Sequence, residues 1–276
     1  MTIERFELEM LGGAVERRYR KARPEVEQMP WGTLCHLAIP DDVRVAARHA
    51  WTGASFQEHR TAVACAMTLQ ALLDARAPLD LVALAARFPL DELVHVELCA
   101  RMAMEVGGGT EILHHPDQLC EDAPAGLRPL VRAADLVVRY FCVSEALSIP
   151  LLRRIWKGAT HPLTRAVLGR IVKDEAAHGT FGWMFLDWAL PSLEPDEIGQ
   201  VGRAADLAIA AIRENWDDLR RRPVVPKSDA HPLAWMQTDA YLELAHRSMQ
   251  EHVIQPLLAR EIPLSEASLA DHRSIS

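Results

Sequence analysis

Asp91-Glu92-Leu93-Val94-His95 and Asp174-Glu175-Ala176-Ala177-His178 are two copies of one pattern, Asp-Glu-x-x-His. On a helix, positions i and i+3 share a face one turn apart. Each copy therefore offers one carboxylate and one imidazole to the same point. Glu-x-x-His alone is weak evidence: chance predicts about one in this chain, and four occur. The others are Glu111–His114, in a glycine-rich stretch, and Glu243–His246, near the C-terminus. The stricter form is expected by chance only about 0.06 times, and it occurs twice.

The surrounding sequence predicts helix. Apolar residues make up 49% of the 276 residues, alanine, leucine and arginine dominate, and β-branched runs are short. Asp41-Asp42 opens a long helix to about Arg76, and a short helix follows Ala77-Pro78-Leu79-Asp80. A second long helix runs from about Leu90 to Val106 and carries the first motif. Gly107-Gly108-Gly109, His114-His115-Pro116-Asp117 and Ala123-Pro124-Ala125-Gly126 then punctuate about 20 residues. A third long helix spans about Leu127 to Trp156. A fourth, from His161-Pro162 to near Pro191, carries the second motif. A fifth runs from about Pro195 to Arg221, ended by Pro223 and Pro226, and a last from about Asp239 to Ala259. Short links within each helix pair and one long polar link between the pairs predict an all-α four-helix bundle with a single crossover. The expected division is an N-terminal arm (1–40), the bundle (41–191) and a C-terminal helical extension (192–276).

A bundle-core metal site also needs one inward carboxylate from each remaining helix. The first helix offers Glu58. The third offers Glu145, the only acidic residue between Asp135 and Asp174, in the apolar run Phe141-Cys142-Val143-Ser144-Glu145-Ala146-Leu147. A lone carboxylate there is costly unless it is paired or metal-bound.

The order Glu58, Glu92-x-x-His95, Glu145, Glu175-x-x-His178, with a crossover after the second helix, resembles the ferritin-like carboxylate-bridged di-iron superfamily. Bacterioferritins, rubrerythrins, aldehyde-deformylating oxygenases and bacterial multicomponent monooxygenase subunits share it. The resemblance covers about residues 45–190. It implies six ligands, Glu58, Glu92, His95, Glu145, Glu175 and His178, with Glu92 and Glu175 bridging. It implies that Asp91 supports His178 and that Asp174 supports His95. It also implies two iron ions, Fe/Fe or Mn/Fe, with O2 and an external electron donor as partners. Two imidazoles and four carboxylates suit iron or manganese better than a thiolate-seeking metal.

Departures narrow the expected function. The paired C-x-x-C of rubrerythrins is absent. Ile171 stands where arylamine N-oxygenases carry an extra His. About 85 residues follow Pro191, which a storage cage does not need. Extra helices can wall a pocket or form a homodimer surface. The leading expectation is an oxygenase or oxidase acting on a small, largely apolar organic substrate. The alternative is a ferroxidase or peroxide-scavenging, iron-handling protein. Cys65, Cys99, Cys142, Ser148 and Phe181 lie about one or two turns from ligands and are candidates to line the substrate cavity.

Charge and cysteine usage bound the rest. The formal charge is −8, and no Lys/Arg-rich tract occurs, which argues against nucleic acid. Five cysteines without a C-x-x-C spacing argue against a disulfide framework or zinc ribbon. Neither a signal peptide nor a run of ~18 apolar residues is visible, so a cytoplasmic protein without a membrane span is expected.

Overall fold

Asp41–Asp74 is one unbroken helix of 34 residues, and the rest of the fold is arranged around it. The computed structural model describes residues 3–119, 121–221, 233 and 236–270. Pro223, Pro226 and Cys120 lie outside those residues. The described chain is mostly helical. In order, the α-helices are α1 (Gly13–Ala22), α2 (Pro24–Glu27), α3 (Asp41–Asp74), α4 (Leu79–Ala85), α5 (Phe88–Glu105) and α6 (Pro129–Val137). They continue with α7 (Ala146–Gly158), α8 (Pro162–Ala189), α9 (Pro195–Arg221), α10 (Thr238–Ser248), α11 (Gln255–Leu258) and α12 (Glu266–Leu269).

Local chemistry sets the ends of these helices. Asp41 and Asp42 occupy the first turn of α3, where carboxylates oppose the positive end of the helix dipole. Its C-terminus closes when Ala77 N–H bonds back to the Leu72 carbonyl, with Arg76 at φ +53°. Gly107 at φ +111° closes α5 in the same way, with Gly108 N–H donating to the Ala103 carbonyl. His161 caps α8: its Nδ1 accepts from Leu163 N–H, and Pro162 follows at the first helical position.

The expected third helix is interrupted. Val138–Glu145, between α6 and α7, is π-helical, and Glu145 is its last residue. Ser144 Oγ donates to the carbonyl of Arg139, five residues back, within this wide turn. A second π-helical stretch, Met249–Ile254, joins α10 to α11. Periodicity does not reveal such turns, because each shifts the helical phase by a single residue. A short antiparallel pairing was also not expected: β1 (Glu4–Arg5) pairs with β2 (Leu113–His114) in the crossover. Arg48 holds the crossover's start onto α3 through the Gly108 and Gly109 carbonyls, at 2.8 and 3.0 Å.

Helix α3 packs chiefly on α5, and α8 packs on α7 and the π-helical stretch 138–145. Helix α9 covers α6 and that same stretch, and α10 lies on α7. Two apolar clusters result. One holds Val94, Leu98, Met102, Val167 and Ile171; the other holds Phe88, Phe141, Phe181, Phe185 and Trp216. Along α5 the chain passes from Phe88 through Glu92 and His95 to Leu98. Along α8 it passes the opposite way, from Ile171 through Glu175 and His178 to Phe181. The motif residues therefore form a polar layer between two apolar plugs. No helix among the described residues is long and apolar enough to cross a membrane.

Candidate metal centre

Four helical segments deliver the polar layer: α3 carries Glu58, α5 carries Glu92 and His95, the π-helical stretch carries Glu145, and α8 carries Glu175 and His178. Their ligand atoms form two overlapping groups. Glu58, Glu92, His95 and Glu175 make one; Glu92, Glu145, Glu175 and His178 make the other, and within each the atoms lie within 4.8 Å of one another. Glu92 and Glu175 belong to both. All six sequence-derived residues are thus brought together, with the two motif glutamates at the centre.

Both imidazoles present the same face. His95 Nδ1 lies 3.2 Å from Glu175 Oε1, 3.5 Å from Glu92 Oε2 and 3.6 Å from Glu58 Oε2. His178 Nδ1 lies 2.9 Å from Glu92 Oε1 and 3.1 Å from Glu175 Oε2. The other nitrogens turn outward, each to an aspartate on the opposite helix. His95 Nε2 is 3.1 Å from Asp174 Oδ2, and His178 Nε2 is 3.8 Å from Asp91 Oδ2.

Behind the aspartates stand two arginines that the sequence reading missed. Arg170 pairs with Asp174 from one turn earlier on α8. Arg87, whose side chain is 64% exposed, places Nε 2.9 Å from Asp91 Oδ2 and Nη2 3.5 Å from Asp174 Oδ1. The signal was present. Each arginine lies four residues before its aspartate, so the repeated pattern is Arg-x-x-x-Asp-Glu-x-x-His.

Burial and crowding set the protonation of the metal-free cluster. Burial raises Glu145, and the charges of Glu175 and Glu92 raise it further, well above the usual carboxylate range. Burial pushes Glu58 up to about 8, although its contact with His95 pulls the other way. Burial alone would lower His178, but Asp91, Glu175 and Glu92 outweigh it and push it up to about 12. His95 is likewise raised, its burial overcome by Glu175, Glu58 and Glu92. Burial would raise Glu175 too, yet its contacts with His178 and His95 hold it well below its usual value. Protons thus neutralise a cluster that cations can neutralise instead.

The donor set fits metal ions. Glu92 Oε1 and Oε2, His95 Nδ1, Glu175 Oε2 and His178 Nδ1 are buried atoms without a hydrogen-bond partner. Buried polar atoms are ordinarily satisfied. These five face one another, as ligands around cations would.

Four of the five expected cavity residues are buried in the apolar clusters. Cys65, Cys142 and Phe181 pack within one apolar cluster and Cys99 within the other. Ser148 is half-buried and bonds to Glu145, donating to its carbonyl at 3.0 Å with Oε2 at 3.4 Å. None of the five lines the groove at Met67 and Leu93 or the cleft at Arg60 and His114. Around Cys142 the packing is close: a Cβ added at Gly182 on α8 would sit 2.7 Å from Cys142 Sγ. The two other Glu-x-x-His matches are accounted for as well. Glu111 pairs with Arg5 beside the β1–β2 pairing, and His246 packs edge-on against Trp216.

Comparison of the chain with protein-family models, with curated proteins and with solved structures finds no match.

Proposed function

We propose that this chain is a ferritin-like di-iron, or Mn/Fe, oxidoreductase that activates O2 or peroxide to oxidise a small organic molecule. One observation carries the reading: two four-residue ligand groups share Glu92 and Glu175 and contain buried donors with no other partner. Glu58, Glu92, His95 and Glu175 would hold one ion, and Glu92, Glu145, Glu175 and His178 the other. A pair of redox-active ions bound there would supply electrons to O2.

The chain's own residues do the rest. Asp174 accepts the Nε2–H of His95, which fixes the tautomer and leaves the Nδ1 lone pair facing the carboxylates. Asp91 lies 3.8 Å from His178 Nε2, beyond hydrogen-bond reach, and contributes its charge there. Arg87 and Arg170 balance the charge of the two aspartates. Phe88, whose ring centroid is 4.3 Å from that of His178, excludes water together with Phe141 and Phe181. Ser148 can pass a proton to or from Glu145 Oε2.

The test is anaerobic loading with Fe(II), metal quantification, and then exposure to O2. Two irons per chain, with loss of metal in both Glu145→Ala and His178→Ala, are expected. Full metal content in both variants would end the assignment. Rapid formation of ferric mineral without any organic substrate would favour the iron-handling alternative.

A further inference from the structure

A cleft of about 1,010 Å³ lies behind the ligand-bearing helices, between α3, the crossover, the π-helical stretch and α9. Arg60 lines it, two residues after Glu58, and so does Ser144, one residue before Glu145. The cleft and the candidate metal centre therefore use different faces of the same two segments.

Three of the charged residues in the cleft are matched by hydrogen bonds or ion pairs. Asp135 accepts from Arg139 Nε at 2.8 Å and from Gln200 Nε2 at 3.1 Å. Arg139 Nη1 donates to the Glu121 carbonyl, and Asp122 pairs with Arg132. Arg60 is different. Its Nη1 donates to the Gln57 side-chain carbonyl at 3.0 Å, and its Nε is buried without a hydrogen-bond partner. No carboxylate among the described residues lies within ion-pair distance of it. His114, only 6% exposed, also lines the cleft, and its Nδ1 likewise has no hydrogen-bond partner. A guanidinium and a buried imidazole thus border one space without a carboxylate of their own.

The opposite wall is apolar. Helix α9 presents Leu207, Ala208, Ala211 and Ile212, and the Leu207 side is open, with that residue 67% exposed. Asp117 and Glu121 stand on the crossover side of the cleft. They disfavour a polyanion but leave room for a single negative charge directed at Arg60. We infer that this cleft binds a small monocarboxylate with an apolar body. Its carboxylate is held by Arg60 and His114, and its body lies along α9. The cleft stands independently of the metal assignment, since none of the six ligands lines it.

Calorimetric titration of the full chain with octanoate tests this, with octanol, octylamine and inorganic phosphate as comparisons. Octanoate is expected to bind, with the other three weaker by at least about tenfold, as the loss of a charge-assisted contact implies. Arg60→Gln should weaken octanoate by a similar factor. Leu207→Asp, on an exposed helix face where folding is least at risk, should weaken it as well. Octylamine binding as tightly as octanoate, unchanged affinity in both variants, or no octanoate binding would overturn the proposal. Metal content measured in the same samples keeps the two readings apart. Octanoate binding by a chain that takes up no metal sinks the metal centre alone, and metal uptake without octanoate binding sinks the cleft alone.

Discussion

His95 and Asp174 meet across helices α5 and α8, with Nε2 3.1 Å from Oδ2 in a buried contact. Each belongs to a different copy of the motif. The copies thus support one another: the aspartate of the second steadies the histidine of the first. Asp174→Asn keeps the shape but removes the charge. We expect metal affinity to fall by about 10–100-fold, the usual cost of such a change behind a metal-bound histidine. Competition with a calibrated chelator measures it.

Arg87 reaches both Asp91 and Asp174 with one guanidinium, whereas Arg170 reaches Asp174 but not Asp91 and pairs with Glu25 as well. Arg87→Gln should therefore weaken uptake of both ions, and Arg170→Gln mainly that of the ion at His95. An effect of about tenfold is expected, the low end of what such partners contribute. Stepwise metal titration separates the two patterns. Because the Arg87 side chain is 64% exposed, the folding cost of its loss should stay below about 1 kcal/mol.

Metal uptake should release protons and tighten as pH rises, because His95 and His178 must lose their protons to serve as ligands. Uptake in weak buffer with a pH dye counts them. The metal-free chain should behave oppositely in stability. Burial raises Glu58 from 4.5 to about 8, so the folded form favours its protonated state. That contribution is complete below about 4.5 and is lost as pH climbs through 8. The contribution of His178, raised from 6.5 to about 12, is complete below about 6.5 and declines from there upward. Thermal unfolding of the metal-free protein should therefore occur at lower temperature at pH 9 than at pH 6.

Gly182 lies where an added Cβ would meet Cys142 Sγ at 2.7 Å and Phe141 Cβ at 2.9 Å. Gly182→Ala should cost about 1–3 kcal/mol by overpacking. The loss should shrink in a Cys142→Ala background, since the nearest of the three crowding atoms is then gone. Denaturant unfolding of the single and double variants measures the coupling.

The residues that form the polar layer were readable because their chemistry is unusual. Two Asp-Glu-x-x-His copies and a carboxylate in the apolar run around Glu145 stand out against a leucine- and alanine-rich background. Helix boundaries were readable where proline, glycine or paired aspartates mark them, as at Asp41 and Gly107. The π-helical stretch ending at Glu145 was not, because no proline or glycine marks it and it packs on α8 and α9. The packing around Cys65, Cys99, Cys142 and Phe181 was not readable for a related reason. Spacing from a ligand gives a helix face, but a glycine on the facing helix decides whether that face borders space or solid core. Arg87 and Arg170 were overlooked because charged residues at i−4 are ordinary on helices, and only their joint repetition carries information.

The two halves of the polar layer match in sequence but differ in enclosure. Glu145 is buried near the aromatic plug of Phe88, Phe141 and Phe181, whereas the Glu58 side chain keeps 17% of its surface open. A centre built from duplicated parts is thereby given a front and a back. Were ions bound there, exchange with solvent would be expected to run faster on the Glu58 side than on the Glu145 side.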